Sequence, residues 1–170
     1  MKPPSRPRPV RPWHRVRQFA GALRPRVSGE DRALAYAFLA PGLQQLFESM
    51  TLHDQQHGIV VMKRVQAQAG DDAQLCAAAL LHDCGKGDVR LWQRVLHVTL
   101  GIVPDVRERL ALQEGAGWRR AQWRLLHHPA LGADMAARAG ADPDVVRMIR
   151  AQDEPAADAR LAILQAADDA

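Results

Sequence analysis

At 170 residues and 47% hydrophobic content the chain is long enough for one domain with its own core, and it holds no apolar run of the roughly 18 residues that a membrane-crossing helix needs. Aromatic residues make up only 5% while Ala and Leu are frequent, a balance that favours helix over sheet. The net charge of +4 is uneven: residues 1–28 carry Lys2, Arg6, Arg8, Arg11, Arg15, Arg17, Arg24 and Arg26 and no acid, leaving 15 basic and 19 acidic residues in the rest, so the body is mildly acidic and unsuited to nucleic-acid binding as its main activity.

Residues 1–12, MKPPSRPRPVRP, have too many prolines for a helix and are expected to be disordered. They lack the central apolar stretch of a secretory leader. Trp13 to Leu23 reads as a short basic helix carrying Trp13, Val16, Phe19 and Leu23, either a strap packed on the body or a contact for an anionic membrane surface or nucleic acid. The domain proper is expected from residue 29 onward. Ser28 is placed to cap a helix running to about Leu39, with Glu30 and Asp31 in its first turn. Pro41-Gly42 interrupts before a second helix ending near Met50. A third spans Leu52 to Ala69 and closes at Gly70. Asp71-Asp72 opens a fourth that continues to Asp83, and Gly85 and Gly87 break the chain. Further helices are expected over 88–100, from Pro104, and over Trp118–His127, Pro129–Ala139, Pro143–Ala151 and Pro155–Ala167, each proline read as a first-turn residue. The expected architecture is all-α, with about five helices surrounding a functional centre.

Three apolar helical stripes each carry an ionisable residue. His57 shares a face with Val61 and Val65. His82 follows Leu75, Ala78 and Ala79 at i+7. Asp168 stands in the same relation to Leu161, Leu164 and Gln165. Any one of these histidines, taken alone, reads most simply as a satisfied core residue. Three stripes together, with Asp83 directly after His82, point to a shared cation, because a buried charge must be paired or bound to metal. Imidazole with carboxylate suits Mn, Fe, Zn, Co or Mg. Neighbouring His82 and Asp83 diverge by about 100° on a helix, so both reach one ion only at a helix end, which Gly85 supplies. Cys76 and Cys84 do not form a CxxC pair. They read as buried filler, which fits the reducing cytoplasm expected for the chain, with a thiol at 84 that is also a candidate for oxidation.

The segment AAALLHDCGK around His82 and Asp83 resembles the signature of the HD superfamily of metal-dependent phosphohydrolases. DQQHGIVV resembles that family's first histidine motif at His57, HHPALGADMA its HPxxG motif at His128, and LQAADDA its closing Ala-Asp motif at Asp168. The four occur in the family's order over roughly residues 45–170. The helix after the HD motif, Leu91-Trp92-Gln93-Arg94-Val95, is similar to one found in small bacterial members. This resemblance implies an HD-domain helical bundle around one divalent ion held by His57, His82, Asp83 and Asp168. It implies hydrolysis of a phosphoester, such as that of a nucleotide or related phosphorylated small molecule, by metal-activated water. Asp83 would orient the water and Lys86 would offset charge on the phosphate. His128, expected at a helix N-terminus, would bind phosphate, transfer a proton or hold a second ion. His127 and His128 are interchangeable from sequence alone. Gln152 stands where two-metal members carry a histidine, which implies one tightly bound ion and leaves a second reading, an HD module that binds nucleotide and metal to signal. A nucleic-acid or membrane adaptor acting through the tail is a third. Arg90, Arg94, Arg119, Arg120 and Arg124 are candidate phosphate contacts.

Overall fold

In a computed structural model, which describes residues 25–170 apart from 102–104 and 116, the described chain is all-α and contains no strand. The proposed disorder of residues 1–12, the basic helix from Trp13 and the start at Pro104 lie outside the described residues.

Helix α1 (Gly29–Tyr36) is capped by Ser28, whose hydroxyl accepts from the Asp31 amide. Helix α2 (Pro41–Glu48) starts on Pro41 itself, and α3 (Leu52–Ala69) runs from the Thr51 cap to Gly70, a left-handed residue with φ 68°. Helix α4 (Ala73–Leu81) is capped by Asp72. It is apolar all round and every residue from Leu75 to Leu81 is buried, which makes it the central rod of the core. It stops at Leu81, two residues short of the expected end. His82 and Asp83 form a turn that passes into a single 3-10 turn over Cys84–Lys86.

Helix α5 (Leu91–Leu100) begins three residues later than the sequence pattern predicts. Arg90 is extended, and its amide donates to the Gln93 side chain at 2.8 Å. Helix α6 (Val106–Leu110) is short. Helix α7 (Trp118–Arg138) is one continuous helix through Pro129, not the two separated helices expected there. Helices α8 (Pro143–Arg150) and α9 (Ala159–Asp169) complete the chain. The last starts at the Asp158 cap and not at Pro155, because the Asp158 side chain takes the Leu161 amide at 2.8 Å.

The core joins Phe47, Met62, Leu75, Leu80, Leu81, Met148, Ile149, Leu161 and Leu164, with α3 and α8 packed on α4, and α9 across α3. Two close approaches fix where the histidines fall. A Cβ on Gly58 would stand 2.6 Å from the Leu80 carbonyl oxygen, so the backbones of α3 and α4 touch one residue after His57 and two before His82. A Cβ on Gly85 would stand 2.0 Å from the His128 carbonyl oxygen and 2.6 Å from the Gly132 nitrogen, which seats the 3-10 turn directly on α7.

Candidate metal centre

His57 stands in the second turn of α3, His82 and Asp83 in the turn after α4, and Asp168 in the last turn of α9. His57, His82 and Asp83 each offer one ligand atom within 4.8 Å of the others. Asp168 Oδ1 lies 2.7 Å from His57 Nε2 and 3.4 Å from His82 Nε2. Asp83 Oδ1 is 3.4 Å from His82 Nε2, and its Oδ2 is 3.9 Å from His57 Nε2. All four residues singled out in the sequence therefore converge, from parts of the chain up to 111 positions apart.

Their burial is unequal. His82 and Asp83 are fully buried, whereas Asp168, expected on a core-facing stripe, is 42% exposed. It sits at the helix end with one carboxylate edge against two imidazoles. The end itself is tied down: the Arg64 guanidinium donates to the Ala167 carbonyl at 2.9 Å, a cation on the carbonyls of a last helical turn.

A hydrogen bond at the far side of the His82 ring settles which of its nitrogens faces the centre. His82 Nδ1 donates to the Ala79 carbonyl at 2.8 Å, so in the neutral ring Nε2 carries the lone pair. That Nε2 is buried with no hydrogen-bond partner, and two carboxylates stand 3.4 Å away. A buried lone pair facing two anions is repulsive unless a proton or a metal ion lies between. Two imidazole nitrogens and two carboxylates are also a donor set that suits divalent transition ions, and an Nδ1–H held by a backbone carbonyl is the usual orienting bond behind a metal-binding histidine. The residues fit a divalent ion.

Electrostatics agree with this. Burial opposes ionisation of Asp83, but His82 and Lys86 overcome it and hold the carboxyl down at about 2. The hydrogen bonds from His57 and His82 hold Asp168 well below the usual carboxylate range. Complete burial pulls the His82 imidazole down, and Asp83 and Asp168 reverse that to a net upward shift. Both carboxylates are thus anionic at neutral pH.

Lys86 Nζ donates to Asp83 Oδ2 at 2.7 Å from the 3-10 turn. His128 Nε2 lies 3.7 Å from Asp83 Oδ1, whereas His127 is exposed and stacked on Trp123, with ring centroids 4.6 Å apart. His128 is the histidine at the site. Its expected position at a helix N-terminus is corrected, because it lies inside α7. Pro129 explains how it is held. A proline has no N–H, so the Leu125 carbonyl four residues earlier loses its helical donor. His128 Nδ1 takes that carbonyl at 2.7 Å, which leaves Nε2 for the centre. Pro129→Ala returns a competing backbone donor to Leu125. It is expected to leave thermal stability equal or higher while His128 becomes a mixture of tautomers, measured by the ¹⁵N shifts of its ring.

Gln152 is not at the ligand cluster as a donor atom. Its Nε2 donates to the His82 carbonyl at 2.9 Å, so it pins the turn that carries His82 and Asp83. Among the candidate arginines, Arg94 makes a two-pronged pair with buried Asp54 at 2.6 and 2.7 Å, and is committed there rather than free for phosphate. Arg119 donates to the Leu110 carbonyl and Arg124 to that of Gly85, while Arg90 is exposed; Arg120 and Arg124 share a cleft with Asp88 and Gln93. Burial pushes the Cys84 thiol up to about 12, and that of Cys76 to about 11, so neither is a thiolate at neutral pH and both act as core filler.

Sequence reasoning missed the part played by Gly58 and Gly132. Gly132 lets α7 approach the 3-10 turn, where a Cβ would meet the Gly85 nitrogen at 3.1 Å and Cys84 Sγ at 3.2 Å. Its only trace in the sequence is the spacing His128-Pro129-x-x-Gly132. Compared with protein-family models, curated proteins and solved structures, the chain matches none.

Proposed function

We propose that the chain is a metal-dependent phosphohydrolase of the HD type, acting on a nucleotide or related phosphorylated small molecule. The observation that carries this reading is the partnerless, buried His82 Nε2 facing the carboxylates of Asp83 and Asp168. His57 Nε2, His82 Nε2 and the carboxylates of Asp83 and Asp168 would hold the ion. When bound, the ion would supply Lewis acidity that makes water nucleophilic near neutral pH, where its pKa falls to about 7 in favourable cases.

The chain's own residues divide the remaining work. Asp83 accepts a hydrogen bond from an attacking water and aims it. His128 Nε2, which has the free lone pair because Nδ1 holds the hydrogen, takes the proton as the water oxygen bonds to phosphorus and the phosphorus–ester oxygen bond breaks. The leaving oxygen departs with a proton from His128 or solvent. Lys86, held on Asp83, brings a positive charge to the edge of the cluster where negative charge grows on the phosphoryl oxygens. Lys86→Ala is expected to retain metal and to lose about 10²–10³ in kcat.

The test is metal analysis of the purified protein followed by a screen of phosphomonoesters, phosphodiesters and nucleotides. One equivalent of transition metal per chain is expected after dialysis, because Gln152 serves the His82 backbone and adds no second-site histidine. Two equivalents would contradict that. Metal-loaded protein that turns over nothing in the screen would favour the second reading, a nucleotide- and metal-binding signalling module, which the lack of a histidine at 152 supports.

A further inference from the structure

Helix α5 is inside out. Its inward face is polar. Gln93 is buried, Arg94 is clamped to Asp54, and His97 Nδ1 meets Gln122 Oε1 at 2.9 Å while Gln122 donates to the Gln93 carbonyl at 3.0 Å. Its outward face is apolar: Leu91, Trp92, Val95 and Val98 are 53%, 51%, 59% and 72% exposed. At helical spacing these four fall within about a third of the circumference. The inward bonds prevent the helix from rotating to bury the stripe, since rotation would strand Asp54, Gln122 and Arg94 without partners. Half-exposed Leu52 extends the patch, lining a cleft with Leu91, His53 and Pro25.

Charge decides what covers such a surface. No acidic residue occurs between Asp88 and Asp105, while Arg90 is exposed at the start of the stripe. The described chain begins at Pro25 in that same cleft, and the sequence before it, residues 1–24, carries seven cations and no acid. Two cationic elements do not attract one another. An exposed tryptophan and aliphatic residues with the Arg90 cation at their border match instead a surface that is anionic outside and apolar beneath. We propose that the α5 face docks the protein on anionic lipid bilayers, with Trp92, Val95 and Val98 in the interface and Arg90 at the lipid headgroups. This does not depend on the metal centre.

The test is co-sedimentation of the full chain with vesicles of phosphatidylcholine alone or mixed with phosphatidylglycerol. Expected are binding to the mixed vesicles that weakens as salt rises, and much weaker binding to phosphatidylcholine alone. The double variant V95E/V98E should keep its helical circular dichroism, since both side chains are exposed, and lose binding by roughly tenfold or more. Trp92→Ser is a second, single-site probe that should also weaken binding. The proposal is overturned if wild type ignores the mixed vesicles or if both variants bind as well as wild type. It is also overturned if light scattering finds a wild-type dimer that V95E/V98E dissolves, which would make the stripe an interface between copies. Binding of a labelled single-stranded RNA in place of vesicles would equally remove it.

Discussion

Asp83→Ala is expected to abolish metal binding and phosphoester hydrolysis together. Its two oxygens face His82, His128, Lys86 and His57 at 3.4, 3.7, 2.7 and 3.9 Å, so no other side chain touches as many members of the cluster. Without it the donors are reduced to two imidazoles and a half-exposed carboxylate, and retained metal should fall below one equivalent after dialysis. The loss of turnover should exceed the about 10²–10³ assigned to Lys86→Ala, since the attacking water also loses the group that aims it. The fold should persist with a lowered melting temperature. Breaking a fully buried pair costs about 3–5 kcal/mol, an upper bound here because Lys86 is partly exposed and can turn to water. Metal analysis, a phosphatase assay and a thermal melt on one preparation check all three. A variant with full occupancy and full activity would end the assignment of Asp83 as a ligand.

Gly85→Ala is expected to be the most damaging single methyl group among the described glycines. The added Cβ would be driven into the backbone of α7, at His128 and Gly132, and backbone cannot turn aside as a side chain can. Overpacking costs typically about 1–3 kcal/mol and more where nothing yields. At about 3 kcal/mol the melting temperature should fall by roughly 6–12 °C for a domain of this size. The displaced turn carries Asp83 and Lys86, and the displaced helix carries His128, so activity should fall further than stability explains. Gly132→Ala, whose contacts are 3.1 and 3.2 Å, should be milder. Equal melting curves for wild type and Gly85→Ala would show that the two segments are not in contact.

Much of the architecture was legible in the chain because the signals were local. The bounds of α3 follow from Thr51, the apolar period and Gly70, and the convergence of His82 and Asp83 follows from a helix that must end before Gly85. What was not legible depended on distant partners. Pro129 reads as a helix start until His128 is seen to occupy the carbonyl that the proline leaves free. Arg94 reads as a phosphate contact until Asp54, forty positions away, is found in its grip. Nothing within α5 records which way its apolar stripe faces, because Gln122 and Asp54, which hold its polar side, lie far away in the chain. Asp168 was expected on a buried face, and only the packing of α9 against α3 leaves it half open to solvent.

The direct pairing of His57 with Asp168 across 111 positions has a consequence for how the native state is secured. Whatever clasps both residues acts as a cross-link closing a very long loop, and the closure entropy of such loops rises only logarithmically with length. The unfolded chain gathers these donors only rarely, so an ion that binds the gathered set shifts the folding equilibrium by mass action alone. Under the proposed metal reading, the affinity for the ion and the attachment of the end of the final helix are linked, alongside the core contacts of Leu161 and Leu164 and the Arg64 bond to the Ala167 carbonyl. On that reading, removing the ion would take away one of the contacts that hold the last turn of α9, where Asp168 meets His57.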